Sequence, residues 1–208
     1  MVVLPLFPRK DEGELVMMHT TAYTPVTTAF ASMTTKELDD FYEWFMLNKP
    51  YCLDDLIQAV WQTPGYEDWR ADFSPESLGL LAEWLASQMT KTNRSSKGST
   101  LAEDSMASAA GDEAPDISDE EKSLTVLVGM YYGEVAVRNN ARLTWSQLKG
   151  NKKQADYGQP VISASGTLPT NPVRVINAFA CGLADGSRTS GRLRETYDYW
   201  MELIKHEG

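Results

Sequence analysis

The block Leu124 to Trp145, LTVLVGMYYGEVAVRNNARLTW, constrains the fold more than any other part of the chain. It begins with the apolar spacing of a long, largely buried α-helix and ends with the alternation of a β-strand. One carboxylate, Glu134, interrupts the apolar part, and Arg138 follows four residues later. Because residues four apart share one helix face, the sequence predicts an ion pair at the edge of the core.

Apolar stripes and helix-start signals predict about six helices. Thr34 with Glu37, and Ser118 with Glu121, have capping-box spacing, and Asn171 stands directly before a proline. The residue before a proline disfavours helix, so the first helix is expected to end near Asn48. The predicted helices cover residues 34–48, 52–61, 74–89, 119–139, 171–184 and 188–205.

Residues 142–148 alternate like a strand, and residues 159–164 indicate a second strand with Pro160 at its edge or start. Together they predict a small antiparallel β-hairpin. The expected fold class is therefore α+β and predominantly α-helical. The chain is expected to form a poorly ordered arm (1–33), an N-terminal helical half (34–89), a disordered linker (90–117) and a C-terminal half of helices plus hairpin (118–208). The linker lacks aromatic residues and cannot bury enough apolar area to become ordered, whereas the two halves are expected to pack as one domain.

The length of 208 residues and the hydrophobic content of 42% suit one domain with a sizeable core. No apolar run approaches the roughly 18 residues that a membrane span requires, and the N-terminus lacks the order of charges seen in a secretory signal. Two isolated cysteines, Cys52 and Cys181, indicate neither a disulfide framework nor a metal site. These features predict a cytoplasmic protein that does not bind membranes.

The net charge of −10 is unevenly distributed. Residues 1–120 contain 21 acidic residues and 8 Lys or Arg, whereas residues 121–208 contain 8 acidic residues and 11 Lys or Arg. An acidic half disfavours nucleic acid through phosphate repulsion and favours a basic protein partner. The simpler interpretation is an acidic surface that aids solubility.

The residues that usually carry catalysis are scarce. The two histidines, His19 and His206, belong to no metal-ligand pattern or catalytic triad. Gly129 and Gly133 lie within the predicted long helix, where their spacing indicates close helix packing and not a phosphate-binding loop. No cofactor or metal is predicted. Whether the protein is an enzyme is left open by the sequence, which favours a protein without enzymatic activity.

Six residues are candidates for a ligand-binding or partner-binding site. Glu134 and Arg138 form either a structural ion pair, with a nearby tyrosine hydroxyl, or a charged site that orients a ligand. Arg188 lies in a charged run that either binds an anion or only caps and solvates helix ends. A basic set around the hairpin, which includes Lys149, could bind single-stranded nucleic acid. The preferred interpretation is a solvated loop or a patch that docks on the acidic half. The six candidates are Tyr131, Tyr132, Glu134, Arg138, Trp145 and Arg188.

Five blocks of the sequence resemble a family of uncharacterised bacterial proteins of about this size. In chain order they are FYEWFMLNKP, TPGYEDWRADFSPESLGLLAEWL, MYYGEVAVRNNARLTW, DYGQPVI and NPVRVINAFACGLADGSRTSGRLRETYDYW. The resemblance spans about residues 36–203 and is broken by the linker. It implies no activity and no catalytic residues. Some similar small acidic bacterial proteins act as immunity proteins that neutralise a secreted toxin.

The leading hypothesis is a non-enzymatic cytoplasmic binding protein of bacterial type whose partner is a basic protein such as a toxin. The first alternative is a small-molecule-binding protein or enzyme that uses Glu134 and Arg138. The second is a structural subunit. The oligomeric state is left open by the sequence.

Overall fold

The computed structural model describes residues 30–98 and 117–206, and side chains for all of these except 90–98 and 206. These ranges are mostly helical with one two-stranded antiparallel sheet, which confirms the predicted α+β class. Predicted arm residues 1–29 and linker residues 99–116 lie outside the described residues. The elements are α1 (Thr35–Trp61), α2 (Ser77–Gly98), α3 (Asp119–Asn139), β1 (Thr144–Gln147), β2 (Pro160–Ser163), α4 (Pro172–Ala184) and α5 (Arg192–His206), with a 3-10 turn at Phe30–Ser32.

The prediction of about six helices is wrong, because the described residues form five. The two helices predicted on either side of Pro50 are one continuous helix, α1. An internal proline costs a helix about 3 kcal/mol. Here Pro50 lies on the exposed side, and one buried stripe runs through α1 on both sides of it. Burial of this stripe outweighs the local cost. Its members are Leu38, Phe41, Phe45, Lys49, Cys52, Leu53, Leu56 and Val60.

Three of the six predicted helix starts are confirmed. Both capping boxes form, with Thr34 at the start of α1 and Ser118 at the start of α3. Asn171 caps α4, and Pro172 occupies its first turn, where no N–H is missed. In contrast, α2 begins at Ser77, two residues after the predicted first helical residue Pro75, and it continues to Gly98. Helix α5 begins at Arg192, four residues after its predicted start at Arg188.

Helix α3 is the centre of the fold, because residues from Thr125 to Ala136 are buried almost without interruption. It packs against α1, α2 and α4. Helix α3 approaches α4 closely at Gly129, where an added Cβ would lie 2.7 Å from the Cα of Val173. None of the helices in the described ranges has the length and apolar character needed to cross a membrane.

The hairpin joins α3 to the start of α1. Trp145 in β1 is opposite Ile162 in β2. The side-chain amide of Gln147 donates a hydrogen bond to the carbonyl of Leu38 (2.5 Å). In the loop after β1, Lys149 forms an ion pair with Asp39 (2.9 Å). One member of the basic set that surrounds the hairpin, Lys149, therefore contacts the acidic first half through an exposed ion pair.

Replacement of Gly129 by Ala should destabilise the protein by about 1–3 kcal/mol, because the new methyl group overlaps the backbone of α4. Gly79 in α2 is a matched control, since an added Cβ there meets nothing within 4 Å. Gly79→Ala should raise the free energy of unfolding by about 0.4–1 kcal/mol, because alanine favours helix over glycine. Urea denaturation of both variants measures the difference, and equal effects would contradict the close packing of α3 on α4.

Candidate functional site

Glu134 is buried on α3 and accepts hydrogen bonds from three side chains on three parts of the fold. Its Oε1 accepts from Lys49 Nζ of α1 (2.5 Å) and from Trp145 Nε1 of β1 (2.9 Å). Its Oε2 accepts from Arg138 Nε, one turn further along α3 (3.2 Å). We call these four residues the Glu134 clasp. It connects α1, α3 and the hairpin around one carboxylate.

Gly133 makes the position of Trp145 possible. A Cβ at residue 133 would overlap the Trp145 ring, so only glycine lets the indole lie against α3. The ring also packs against Phe45 of α1, with centroids 5.5 Å apart. The indole is thereby packed between two helices, with its N–H directed at Glu134.

Lys49 is the member of the clasp that sequence reasoning missed. The lysine precedes Pro50, and the sequence therefore predicted it near a helix end. Its position could have identified it. If the helix is continued past Pro50, Lys49 falls in the apolar stripe of α1, one turn from Phe45 and from Cys52. A lysine at a core position requires a buried counter-charge. Its ammonium group also lies 4.9 Å from the centroid of the Trp145 ring.

Burial alone would raise the pKa of Glu134. The hydrogen bond and the positive charge of Lys49, followed by the hydrogen bonds of Trp145 and Arg138, outweigh burial and hold the pKa below its ordinary value of 4.5. The carboxylate is therefore ionised at neutral pH. A group with a lowered pKa and three internal donors is a poor proton donor, and its oxygens are already engaged.

Arg138 is also engaged on a second side. Its guanidinium group lies 3.5 Å from the centroid of the Phe73 ring, in cation–π geometry. Phe73 has a φ of 58°, a left-handed conformation that bulky residues rarely adopt. The carbonyl of Phe73 accepts a hydrogen bond from Asn139 (2.7 Å). The loop between α1 and α2 is therefore fixed to the C-terminal end of α3.

Tyr131 and Tyr132 use their side chains in other parts of the core. The Tyr131 hydroxyl bonds Ser77 Oγ (2.8 Å) and accepts from the Phe73 amide (3.2 Å). The Tyr132 ring stacks on Trp200 of α5, with centroids 5.9 Å apart. Burial raises the pKa of both hydroxyls. The hydroxyl expected beside Glu134 is replaced there by the indole N–H of Trp145.

Arg188 lies in the exposed turn between α4 and α5. Its amide donates to the carbonyl of Gly182 (2.8 Å), and its side chain lies along that glycine. Of the six predicted site residues, the structure brings together Glu134, Arg138 and Trp145. It places Tyr131, Tyr132 and Arg188 in other contacts.

A cavity of about 530 Å³ opens between the C-terminal end of α3, the start of α2 and α5. Six of its nine lining residues are polar or charged, and none of the nine is a predicted site residue. The lining includes Pro75, Asn139, Arg194, Tyr197, Asp198 and Lys205. In the part of the chain that the structure describes, no group of three His, Cys, Asp or Glu side chains is placed to hold a metal ion.

The chain matches no protein-family model, no curated protein and no solved structure. The resemblance to a bacterial family consequently stays a prediction. The fold and site define a mostly helical α+β protein with a charged clasp at its centre.

Glu134→Gln should lower the free energy of unfolding by about 3 kcal/mol, because it leaves the buried ammonium group of Lys49 without a counter-charge. Lys36→Met is the matched control on the same helix. It removes an ion pair with Asp40 whose side chains are 81% and 42% exposed, and it should leave stability unchanged. Chemical denaturation measures both. Near-wild-type stability of the Gln variant would contradict a structural role.

The difference in stability between the wild type and Glu134→Gln should depend on pH. The folded-state pKa of Glu134 is lowered, so near pH 4.5 the unfolded state binds more protons. The stabilisation is fully present above that pH and is lost as pH falls through the lower folded-state pKa. Urea denaturation of both proteins between pH 3 and 7 measures the difference. A difference that grows towards acid pH would contradict this sign.

Proposed function

We propose that this is a non-enzymatic cytoplasmic binding protein that recognises a basic protein partner. The observation that carries the proposal is that both oxygens of Glu134 already accept hydrogen bonds from internal donors. This buried carboxylate already has its partners, so its chemistry serves the fold. The recognition surface is then expected on the outside of the molecule.

The surface charge of the first half supports a basic partner. Residues 30–89 contain 11 acidic residues and 3 Lys or Arg, and one of these three, Lys49, is buried in the clasp. Most of the acidic side chains in this range are exposed. Such a surface accelerates encounter with a positively charged protein and disfavours nucleic acid.

The specific form of this proposal is an immunity protein of bacterial type that neutralises a toxin. It is supported by the size and acidity of the chain and by the resemblance of its blocks to small bacterial proteins. Fold and charge do not define a function by themselves, so this form depends on the cellular experiment below.

A small polar ligand is the second candidate, and the cavity beside α5 favours it. Its volume of about 530 Å³ is in the range of small-molecule sites. Arg194 in its lining already pairs with Asp198 (2.9 Å) and Glu76 (3.2 Å). A ligand there would have to compete with these carboxylates, which makes it the weaker candidate.

Co-expression with the product of each adjacent gene tests the binding proposal. A basic neighbour should copurify with this protein, and the complex should weaken as salt is raised from 0.05 to about 0.5 M, because salt screens surface charge. For the immunity form, growth inhibition by the neighbour should be relieved by the wild type. Absence of copurification with any basic neighbour, together with absence of growth rescue, would contradict the immunity form.

A further inference from the structure

One exposed stripe runs along the outer side of α1. Its residues recur at spacings of three and four, which is the periodicity of a single helix face. The stripe spans about 37 Å at 1.5 Å per residue. We call it the outer α1 stripe; it consists of the half-buried Asp40 and the exposed Lys36, Glu43, Leu47, Tyr51, Asp54, Gln58 and Trp61.

The stripe exposes three large apolar side chains. Leu47, Tyr51 and Trp61 are 69%, 61% and 42% exposed. Trp61 is also held in place, because its indole N–H donates to the carbonyl of Trp69 (2.8 Å). Exposed aromatic side chains that are already oriented are typical anchors of protein interfaces, since little side-chain freedom is lost on binding.

Carboxylates flank the central pair Leu47 and Tyr51 on both sides. Glu43 lies one turn before Leu47, and Asp54 lies about one turn after Tyr51. Both are exposed. The only cation of the stripe, Lys36, lies at its far end and pairs with Asp40 (2.7 Å).

We propose that the outer α1 stripe docks an amphipathic basic helix of the partner protein. The helix would place apolar side chains on Leu47 and Tyr51, and Lys or Arg one turn to either side against Glu43 and Asp54. This inference rests on the proposed function, to which it adds a surface and a partner chemistry. Charge complementarity selects the occupant, because an acidic or neutral helix would leave the flanking carboxylates unpaired.

A matched pair of apolar residues on α5 provides the control. Tyr199 and Leu203 are also a Tyr and a Leu four residues apart, and they are 67% and 43% exposed. Their acidic neighbours are neutralised within α5, since Asp198 pairs with Arg194 and Glu202 with Lys205. This face therefore has similar apolar exposure without the acidic flanks.

The experiment uses two labelled 18-residue probe peptides, an amphipathic Leu/Lys helix and its Leu/Glu counterpart, in fluorescence anisotropy titrations. The wild type should bind the Leu/Lys peptide and should not bind the Leu/Glu peptide. Leu47→Ser/Tyr51→Ser should weaken binding at least tenfold, whereas Leu203→Ser/Tyr199→Ser should change it less than twofold. A second variant, Tyr51→Lys, introduces repulsion on the stripe and should also weaken binding at least tenfold. Thermal denaturation checks that each variant is folded.

Three results would overturn the inference. If the wild type binds neither peptide, the basic-partner function fails together with the stripe. If the wild type binds the Leu/Lys peptide but the stripe variants bind it equally well, the proposed surface is wrong and the proposed function stands. The same conclusion follows if the α5 variant loses as much affinity as the stripe variants. If light scattering shows a wild-type dimer that the stripe variants convert to a monomer, the occupant is a second copy of this chain.

Discussion

The ion pair between Glu134 and Lys49 fixes how the two halves of the chain meet. Both side chains are nearly excluded from water, at 12% and 11% exposure. Each would be costly to bury alone, and together they contribute little net stability. The pair favours this fold over alternative packings, because any arrangement that separates α1 from α3 in the core leaves a buried charge unpaired. The hairpin completes the arrangement through the indole N–H of Trp145.

Local patterns in the sequence predicted the local parts of this structure. The capping boxes at Thr34 and Ser118 and the spacing of Glu134 and Arg138 each involve residues within one helical turn. Lys49 is 85 residues from Glu134, so no local spacing connects them. The rule for residues before proline also suggested a break where burial keeps α1 continuous. Long-range packing, and not local propensity, determines both the pairing of Lys49 with Glu134 and the continuity of α1.

The charges inside and outside this molecule have different consequences. In the clasp, the charges are paired, desolvated and fixed by three elements of structure. On the outer α1 stripe, Glu43 and Asp54 face water beside exposed Leu47 and Tyr51. The first arrangement stabilises one fold, and the second suits reversible contact with another molecule. A single helix, α1, contributes to both.

The separation of Lys49 from Glu134 also has a consequence for how the chain is made. A ribosome adds about 5–20 residues per second, so the 85 residues between them take roughly 4–17 seconds. During this interval the buried stripe of α1 has no α3 to pack against, and the ammonium group of Lys49 interrupts an otherwise apolar surface. A charge in the middle of such a surface disfavours association with other nascent chains. The same lysine that later closes the core is thus expected to reduce association of the unfinished chain with its neighbours.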